Sequence, residues 1–369
     1  MKNRFLNTYI GVFIGLLIAV KGNAQENFVF YVGTYTEGTS SDGIYGYEFT
    51  PGSLEFKLRS TIKTPNPSFL ALDSTRNFLF VVNELSEEDS KVRLFDLKNN
   101  SKELQSLPSY GASPCHVSLH PDKSVLAVSN YMGSISFYSF ASSALTHLKS
   151  FPFKGSSVHP SRQEQSHVHS AFVSPHDGNF YVQDLGTDKI YVFEVSSKSH
   201  ELEVIEKEVV ELPKGSGPRH VVFHPELNHM YVLGELDGKI VHLKKEAGKW
   251  ERVEVVDINS EEFKGENGAA EIRITSSGSD LYASNRLDAE TITHFGVNKD
   301  GTIKKKQVYS VSGSGPRSFA LSPDERFLIV ANQLSNELVV FDRDKKDGSL
   351  KDTKARVKIP SPTCVVFAP

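Results

Sequence analysis

The sequence predicts an all-β protein, a single seven-bladed β-propeller, and three observations carry that expectation. The first is an internal repeat. The stretch GPRHVVFHPELNHMYVLGELDG (Gly217–Gly238) recurs in outline as NPSFLALDSTRNFLFVVNE near Pro67, SPCHVSLHPDKSVLAVSNY near Pro114 and GPRSFALSPDERFLIVANQ near Pro316. Looser copies open at Val168 and Ala269, and a stub opens at Pro362. The opening residues are spaced by 47, 54, 50, 51, 47 and 46 positions, which suits a four-stranded blade of ~40–50 residues. The second is the fit between the two ends. The 42 residues from Gln25 to Asn66 and the 8 from Pro362 to Pro369 make one repeat of 50. They are therefore expected to build one blade together, with the strand near Thr363–Phe367 pairing with the strand near Phe28–Gly33. Such closure leaves no open sheet edge. The third is composition: Thr, Val, Phe and Tyr are frequent, and no long stretch has helical periodicity.

The 369 residues carry 41 Lys and Arg against 45 Asp and Glu, a net charge of −4. A nucleic-acid partner is not expected, since phosphate binding needs a basic face. No Pro/Ser-rich linker divides the chain, so residues 25–369 are read as one domain. Residues 1–24 read as a secretory signal: Lys2 and Arg4, then an apolar run of 12 residues from Tyr9 to Val20, then Gly22-Asn23-Ala24. A spanning helix needs about 20 apolar residues, so cleavage after Ala24 is expected, leaving an exported, periplasmic or extracellular chain with no membrane span. Two cysteines, Cys115 and Cys364, do not make a disulfide framework even in an exported chain. They open inner strands of non-adjacent blades and are expected to be buried thiols.

In each blade the first strand is innermost and the second returns antiparallel. The start of the first and the end of the second therefore meet at one mouth of the central channel. The position after each opening residue holds Ser68, Cys115, His169, Arg219, Ala270, Arg317 and Thr363. The end of the second strand holds Glu84, Tyr131, Leu185, Glu235, Arg286 and Gln333, with Thr34 as the nearest match in the split blade. His169, Arg219, Glu235, Arg286 and Arg317 thus share a mouth, and Glu271 follows Ala270 in the same neighbourhood. Arginine offers a fork of donors matched to carboxylate or phosphate, and Glu and His are the usual proton-transfer groups. The competing reading is a set of inter-blade salt bridges. For any single arginine it has at least equal weight; convergence of the whole set at one end favours a site.

Other residues carry weaker signals. His167 and His169, in HPSRQEQSHVHS, alternate along a strand and would need His159 or Glu164 to complete a metal site. The spacing matches no known zinc pattern, and no metal or other cofactor is expected. His116, His220 and His224 read as packing residues, as does Trp250. Asn130–Ser134 reads as a strand end and turn in which Gly133 supplies backbone freedom, with Tyr131 within reach of the mouth. The Lys304–Lys306 run is expected between strands. GTYT and GSGPR lack the following helix that phosphate cradling requires.

At YVGTYT, NPSFLAL, SNYMGSIS, HPSRQEQSHVHS, GPRHVVFHP, LGELDG, AAEIRI, YASNR and GPRSFALSPDERFLIVANQ the chain resembles the lactonase family of seven-bladed propellers. That family includes the propeller-type 6-phosphogluconolactonases and a fungal carboxymuconate cyclase. Each motif is weak alone; the ordered set, covering nearly all of residues 25–369, is specific. The resemblance implies a metal-independent active site of His169, Arg219, Glu235 and Arg286; the reading of the residues adds Arg317, Glu271, His167 and Tyr131 as candidate substrate-binding residues. It implies hydrolysis of a lactone, anionic or polyhydroxylated. Arg219 and Arg286 would clamp the substrate's anionic group or the developing oxyanion, and Glu235 or His169 would activate water. The export signal departs from the pattern, because a phosphosugar lactone is cytosolic. Two alternatives stand beside this reading: the same site closing a lactone as a muconate cycloisomerase, and a non-catalytic extracytoplasmic binding propeller, since propellers host many functions.

Overall fold

The computed structural model describes residues 27–75, 77–198 and 201–368; the expected leader, residues 1–24, lies outside the described residues. Among the described residues, twenty-eight strands, β1–β28 in chain order, form seven four-stranded antiparallel sheets. The inner strands contact one another in sequence around a ring, so the sheets are the blades of a propeller. Six blades use four consecutive strands each. The seventh is shared: β28 (Pro362–Phe367) is innermost, followed by β1 (Phe28–Thr34), β2 (Gly43–Thr50) and β3 (Glu55–Lys63). Phe30 pairs with Phe367 and Gly33 with Cys364, as the complementary lengths of the two ends predict.

The position of a strand in its blade follows from its residue pattern. Second strands are packed on both faces and read as near-continuous apolar runs, such as FLIVAN in β25 (Phe327–Asn332), buried throughout. Outer strands alternate, as in β19 (Lys249–Asp257), where exposed and half-buried residues follow each other. The apolar core therefore forms seven layers, each between neighbouring blades. The layer that joins the shared blade to the last one contains Phe30, Phe49, Phe327 and Val340, with Phe49 edge-on to Phe327 at 5.2 Å.

Every inner strand carries a bulge near its start. Pro67 pairs with Asn83 and Phe69 with Val82, so Ser68 is the extra residue. The same register shift leaves Cys115, His169, Arg219, Arg317 and Thr363 unpaired in their blades, and in β20 (Asn267–Ile274) the irregularity covers Ala270 and Glu271. A bulge breaks the pairing and re-aims a side chain. Here the slot that varies chemically from repeat to repeat is the bulged one, and a bulge carbonyl can bond to the neighbouring blade: Arg219 O accepts from Ser170 Oγ of the preceding blade at 2.5 Å.

Two details differ from the expectation. The register places Tyr35, not Thr34, opposite the opening residue's neighbour in the shared blade: Thr34 pairs with Pro362 and is fully buried, its hydroxyl donating to Gly43 O. Lys304–Lys306 lie inside the outer strand β23 (Ile303–Ser310), not between strands. Cys115 and Cys364 are buried free thiols. No helix among the described residues is long and apolar enough to cross a membrane.

Candidate active site

The second-strand ends and the bulges enclose a cavity of about 280 Å³ at one channel mouth, near the lower end of the ~300–1,000 Å³ usual for small-molecule sites. A larger recess of about 430 Å³, beside Trp250, lies on the outer strands away from this mouth.

Glu235 organises one wall. It follows β17 (His229–Gly234), and Glu235 N donates to Gly217 O at 2.8 Å, which fixes its backbone. The residue is 4% exposed, and its carboxylate meets three guanidiniums. Arg162 Nη2 lies 2.5 Å from Oε1; Arg219 Nε and Arg286 Nη2 lie 2.9 and 3.3 Å from Oε2. Burial alone would raise the Glu235 pKa, but Arg286, Arg219 and Arg162 outweigh it and hold the carboxyl at about 2. Glu235 is thus a fixed anion that gathers three cations, and a poor proton acceptor. Burial first, then the neighbouring guanidiniums, push Arg286 down to about 9 despite Glu235, which leaves it charged at neutral pH. Arg286 Nε also donates to Gly268 O at 2.7 Å.

The opposite wall is built by Arg317, Tyr35 and Glu84. Arg317 Nη2 donates to Tyr35 Oη at 2.7 Å, and Tyr35 Oη donates to Glu84 Oε2 at 2.8 Å. The Arg317 guanidinium also lies over the Tyr35 ring, 5.1 Å from its centre. No ion pair to a carboxylate is made by Arg317 among the described residues. With four guanidiniums facing Glu84 and Glu235, the mouth carries excess positive charge.

His169 lines the cavity between these walls. Burial, and then Arg219, keep its imidazole well below the ordinary range and hence neutral at pH 7. Its Nδ1 is buried without a hydrogen-bond partner. Tyr131 lines the cavity too, its hydroxyl accepting from Arg162 at 3.3 Å. His167 stands behind Tyr131, stacked on its ring at 4.5 Å, with Nδ1 3.1 Å from Tyr131 O and Nε2 3.2 Å from Glu164 Oε1. Both nitrogens are engaged, and His167 does not face the cavity. Among the described residues no group of three or more His, Cys, Asp or Glu is arranged to hold a metal ion.

Glu271 is also off the cavity wall. It is fully buried with His220 Nδ1 at 2.9 Å, Arg273 Nη2 at 3.4 Å and Ser318 Oγ at 3.2 Å. Burial opposes its ionisation, but Arg273 and His220 hold it at about 2. Arg219 spans the two acids: it pairs with Glu235, and its Nη1 reaches Ala270 O and lies 3.4 Å from His220 Nε2. His224 holds its turn, with Nδ1 accepting from Glu226 N and Leu227 N at 3.1 and 2.9 Å.

The structure therefore brings together His169, Arg219, Glu235, Arg286, Arg317 and Tyr131, and sets Glu271 and His167 around them. Sequence reading missed three participants. Tyr35 was hidden by a one-residue register error in the shared blade, and Glu84 appeared in the slot count without a role. Arg162 comes from the long 153–167 connection; the sequence marks this segment by its length and by the motif HPSRQEQSHVHS, with attention on its histidines and not on Arg162. That connection is clamped by fully buried Gln163, which donates to Leu185 O and Asp188 Oδ1 at 2.9 and 2.8 Å. Gly186 lies so close beneath it that a Cβ would collide with the Gln165 carbonyl.

The family model described as "Lactonase, 7-bladed beta-propeller" matches residues 29–367. The chain belongs to this family. Among its relatives, the 6-phosphogluconolactonase of Bacillus subtilis is 30% identical over 93% of this chain and 99% of its own length. The 6-phosphogluconolactonase of Formosa agariphila is 32% identical over 87% and 94% respectively. The structure of the periplasmic gluconolactonase of Pseudomonas aeruginosa superposes with a TM-score of 0.86 at 29% identity, covering 93% of this chain and 99% of that one. The lactonase-family match extends across the shared blade, so closure by the two ends lies within the matched region.

Proposed function

We propose that this lactonase-family protein is a carboxylic-ester hydrolase that opens an anionic or polyhydroxylated sugar lactone by adding water. The observation that carries the reading is the convergence of Arg162, Arg219 and Arg286 on Glu235 beside a small cavity of excess positive charge. Attack of water on the lactone carbonyl places negative charge on its oxygen. Arg286 and Arg162 line the cavity and are held in place before substrate arrives, as stabilisation of that charge requires. Arg317, hydrogen-bonded to a phenol and to no carboxylate among the described residues, is suited to the substrate's own anionic group. Glu235 acts by positioning the guanidiniums, and neutral His169 supplies a hydrogen-bonding group to substrate or water. The relatives named for lactone hydrolysis support the same class of reaction.

A pH-stat assay of acid release from phosphorylated and unphosphorylated gluconolactones, with the spontaneous rate subtracted, tests the proposal. Acceleration is expected, and Arg286→Ala should lower kcat by roughly 10²–10³, as for loss of one oxyanion donor. Hydrolysis no faster than the spontaneous rate on every lactone would refute it. The proposal places the enzyme outside the cytoplasm, supported by the leader-like N-terminus and the likeness to a periplasmic protein. Intact mass of protein from the envelope fraction should begin at Gln25.

A further inference from the structure

We infer that Glu84 is the general base of the lactone-opening reaction, oriented by Tyr35 and Arg317; the inference rests on the hydrolytic reading above. The two carboxylates of the cavity differ in how their oxygens are used. Both oxygens of Glu235 are taken by guanidiniums. Glu84 makes no ion pair among the described residues; its Oε2 accepts one hydrogen bond from a phenol, and its Oε1 has no hydrogen-bond partner there. Its side chain lines the cavity, so that oxygen is available to a water molecule.

The backbone around Glu84 is fixed. Glu84 N donates to Asn66 O at 3.0 Å, and Asn66 Nδ2 donates to Glu84 O at 3.2 Å. Asn66 Oδ1 in turn accepts from Thr36 N and Glu37 N at 2.9 and 3.0 Å, which ties the segment after Tyr35 to the same residue. Tyr35, Glu84 and Arg317 come from three blades and meet through one hydroxyl. That hydroxyl has its proton committed to Glu84, because Arg317 can only donate to it. The arrangement sets the carboxylate's rotation and leaves its other oxygen directed by elimination.

The other titratable groups of the cavity are unsuited to take the proton. Burial pushes Tyr35, Tyr131 and the Cys115 thiol up and keeps them protonated. Burial and Arg219 push His169 down, so an imidazolium is disfavoured beside the guanidiniums. Arg286, Arg219 and Arg162 hold Glu235 at about 2 against its burial. Arg162, Arg286 and Arg317 are cations with no acceptor.

In the step, Glu84 removes a proton from water as the water oxygen bonds to the lactone carbonyl carbon, and the C=O π pair moves to the carbonyl oxygen. Collapse of that tetrahedral oxyanion re-forms the C=O bond and breaks the ring C–O bond. The departing alkoxide takes the proton from the Glu84 carboxylic acid. The product hydroxy acid then ionises to solvent, which is the proton the pH-stat detects. Glu84 ends as it began.

The test measures kcat/KM against pH for wild type, Glu84→Gln and Tyr35→Phe, with formate added to Glu84→Ala. Glu84→Gln should lose roughly 10²–10⁴ in kcat together with the acidic limb of the profile. Formate should restore part of the Glu84→Ala rate, and Tyr35→Phe should lower kcat more than it changes KM. Because Glu84 makes no ion pair, its variants should melt close to wild type. Near-wild-type kcat with an unchanged acidic limb in Glu84→Gln would overturn the inference while leaving the lactonase reading intact. Loss of the fold in both Glu84 variants would overturn it too, by assigning Glu84 to structure. A wild type that opens no lactone would instead sink the hydrolytic reading, and this inference with it.

Discussion

Replacing Glu235 with Gln keeps the shape of the cluster and removes the one charge that three guanidiniums share. Its magnitude follows from the linkage between charge and folding. The Glu235 pKa falls from 4.5 in its ordinary state to about 2 in the fold, because Arg286, Arg219 and Arg162 outweigh burial. At ~1.4 kcal/mol per pH unit, that drop is roughly 3 kcal/mol of stability. Since the folded value is the lower one, this stability is fully present above about pH 4.5 and is lost as pH falls through about 2. Breaking a buried pair by removing one partner costs ~3–5 kcal/mol, a range that includes this figure. For a chain of this size, with an unfolding entropy of ~2.1 cal/mol/K per residue, 3 kcal/mol is a Tm loss of about 4 °C. Thermal melts of wild type and Glu235→Gln, followed by circular dichroism from pH 7 to the lowest pH at which both remain soluble, are the assay. The variant should melt several degrees lower at pH 7, and the gap should narrow as pH falls below 4.5 because only the wild type loses Glu235 ionisation. Equal melting temperatures at pH 7, or a gap independent of pH, would show that Glu235 does not hold the arginines in the folded protein.

Three further outcomes follow. Removing residues from Pro362 onward takes away β28 and exposes the edge of β1; size-exclusion chromatography of the truncated protein should show aggregate in place of monomer-sized material. Chelation should leave lactonase activity unchanged, because both nitrogens of His167 are already bonded; loss of rate in EDTA that zinc restores would contradict this. Arg317→Ala should raise KM for an anionic lactone more than for its neutral counterpart, read as the ratio of the two kcat/KM values, whereas an equal change in both would remove Arg317 from anion recognition.

The propeller was legible because its repeat is written in residues that a blade requires. An apolar second strand, an alternating outer strand and a turn between them recur at blade spacing, and the two ends declare their shared blade by length alone. The site was legible as far as it obeys the repeat. Arg219, Glu235, Arg286 and Arg317 stand at equivalent slots, so counting finds them. What counting cannot find is a side chain brought in from outside the repeat. Arg162 reaches Glu235 from a long connection held by Gln163; its motif HPSRQEQSHVHS stands out in the sequence, but the repeat gives Arg162 no slot. The bulges were equally hidden. A one-residue insertion in one strand is defined by the partner's register, which a single sequence does not carry. The same one-residue ambiguity put Thr34 in the place of Tyr35. Depth was a further limit: the repeat puts Glu235 and Glu271 in one neighbourhood, but only the fold separates Glu235 on the cavity wall from Glu271, enclosed with His220 and Arg273.

The pairing of Phe30 with Phe367 sets a clock on the molecule. Joining strands some 340 residues apart costs roughly 5 kcal/mol in loop-closure entropy, against about 2 kcal/mol for a seven-residue hairpin. Each blade hairpin can therefore form early, while the ring closes only when β28 meets β1. Through that interval the cavity mouth has no Tyr35–Arg317 contact, because the two residues sit on either side of the unclosed seam. Pairing of β28 with β1 thus seals the sheet and brings Tyr35 to Arg317 in one event.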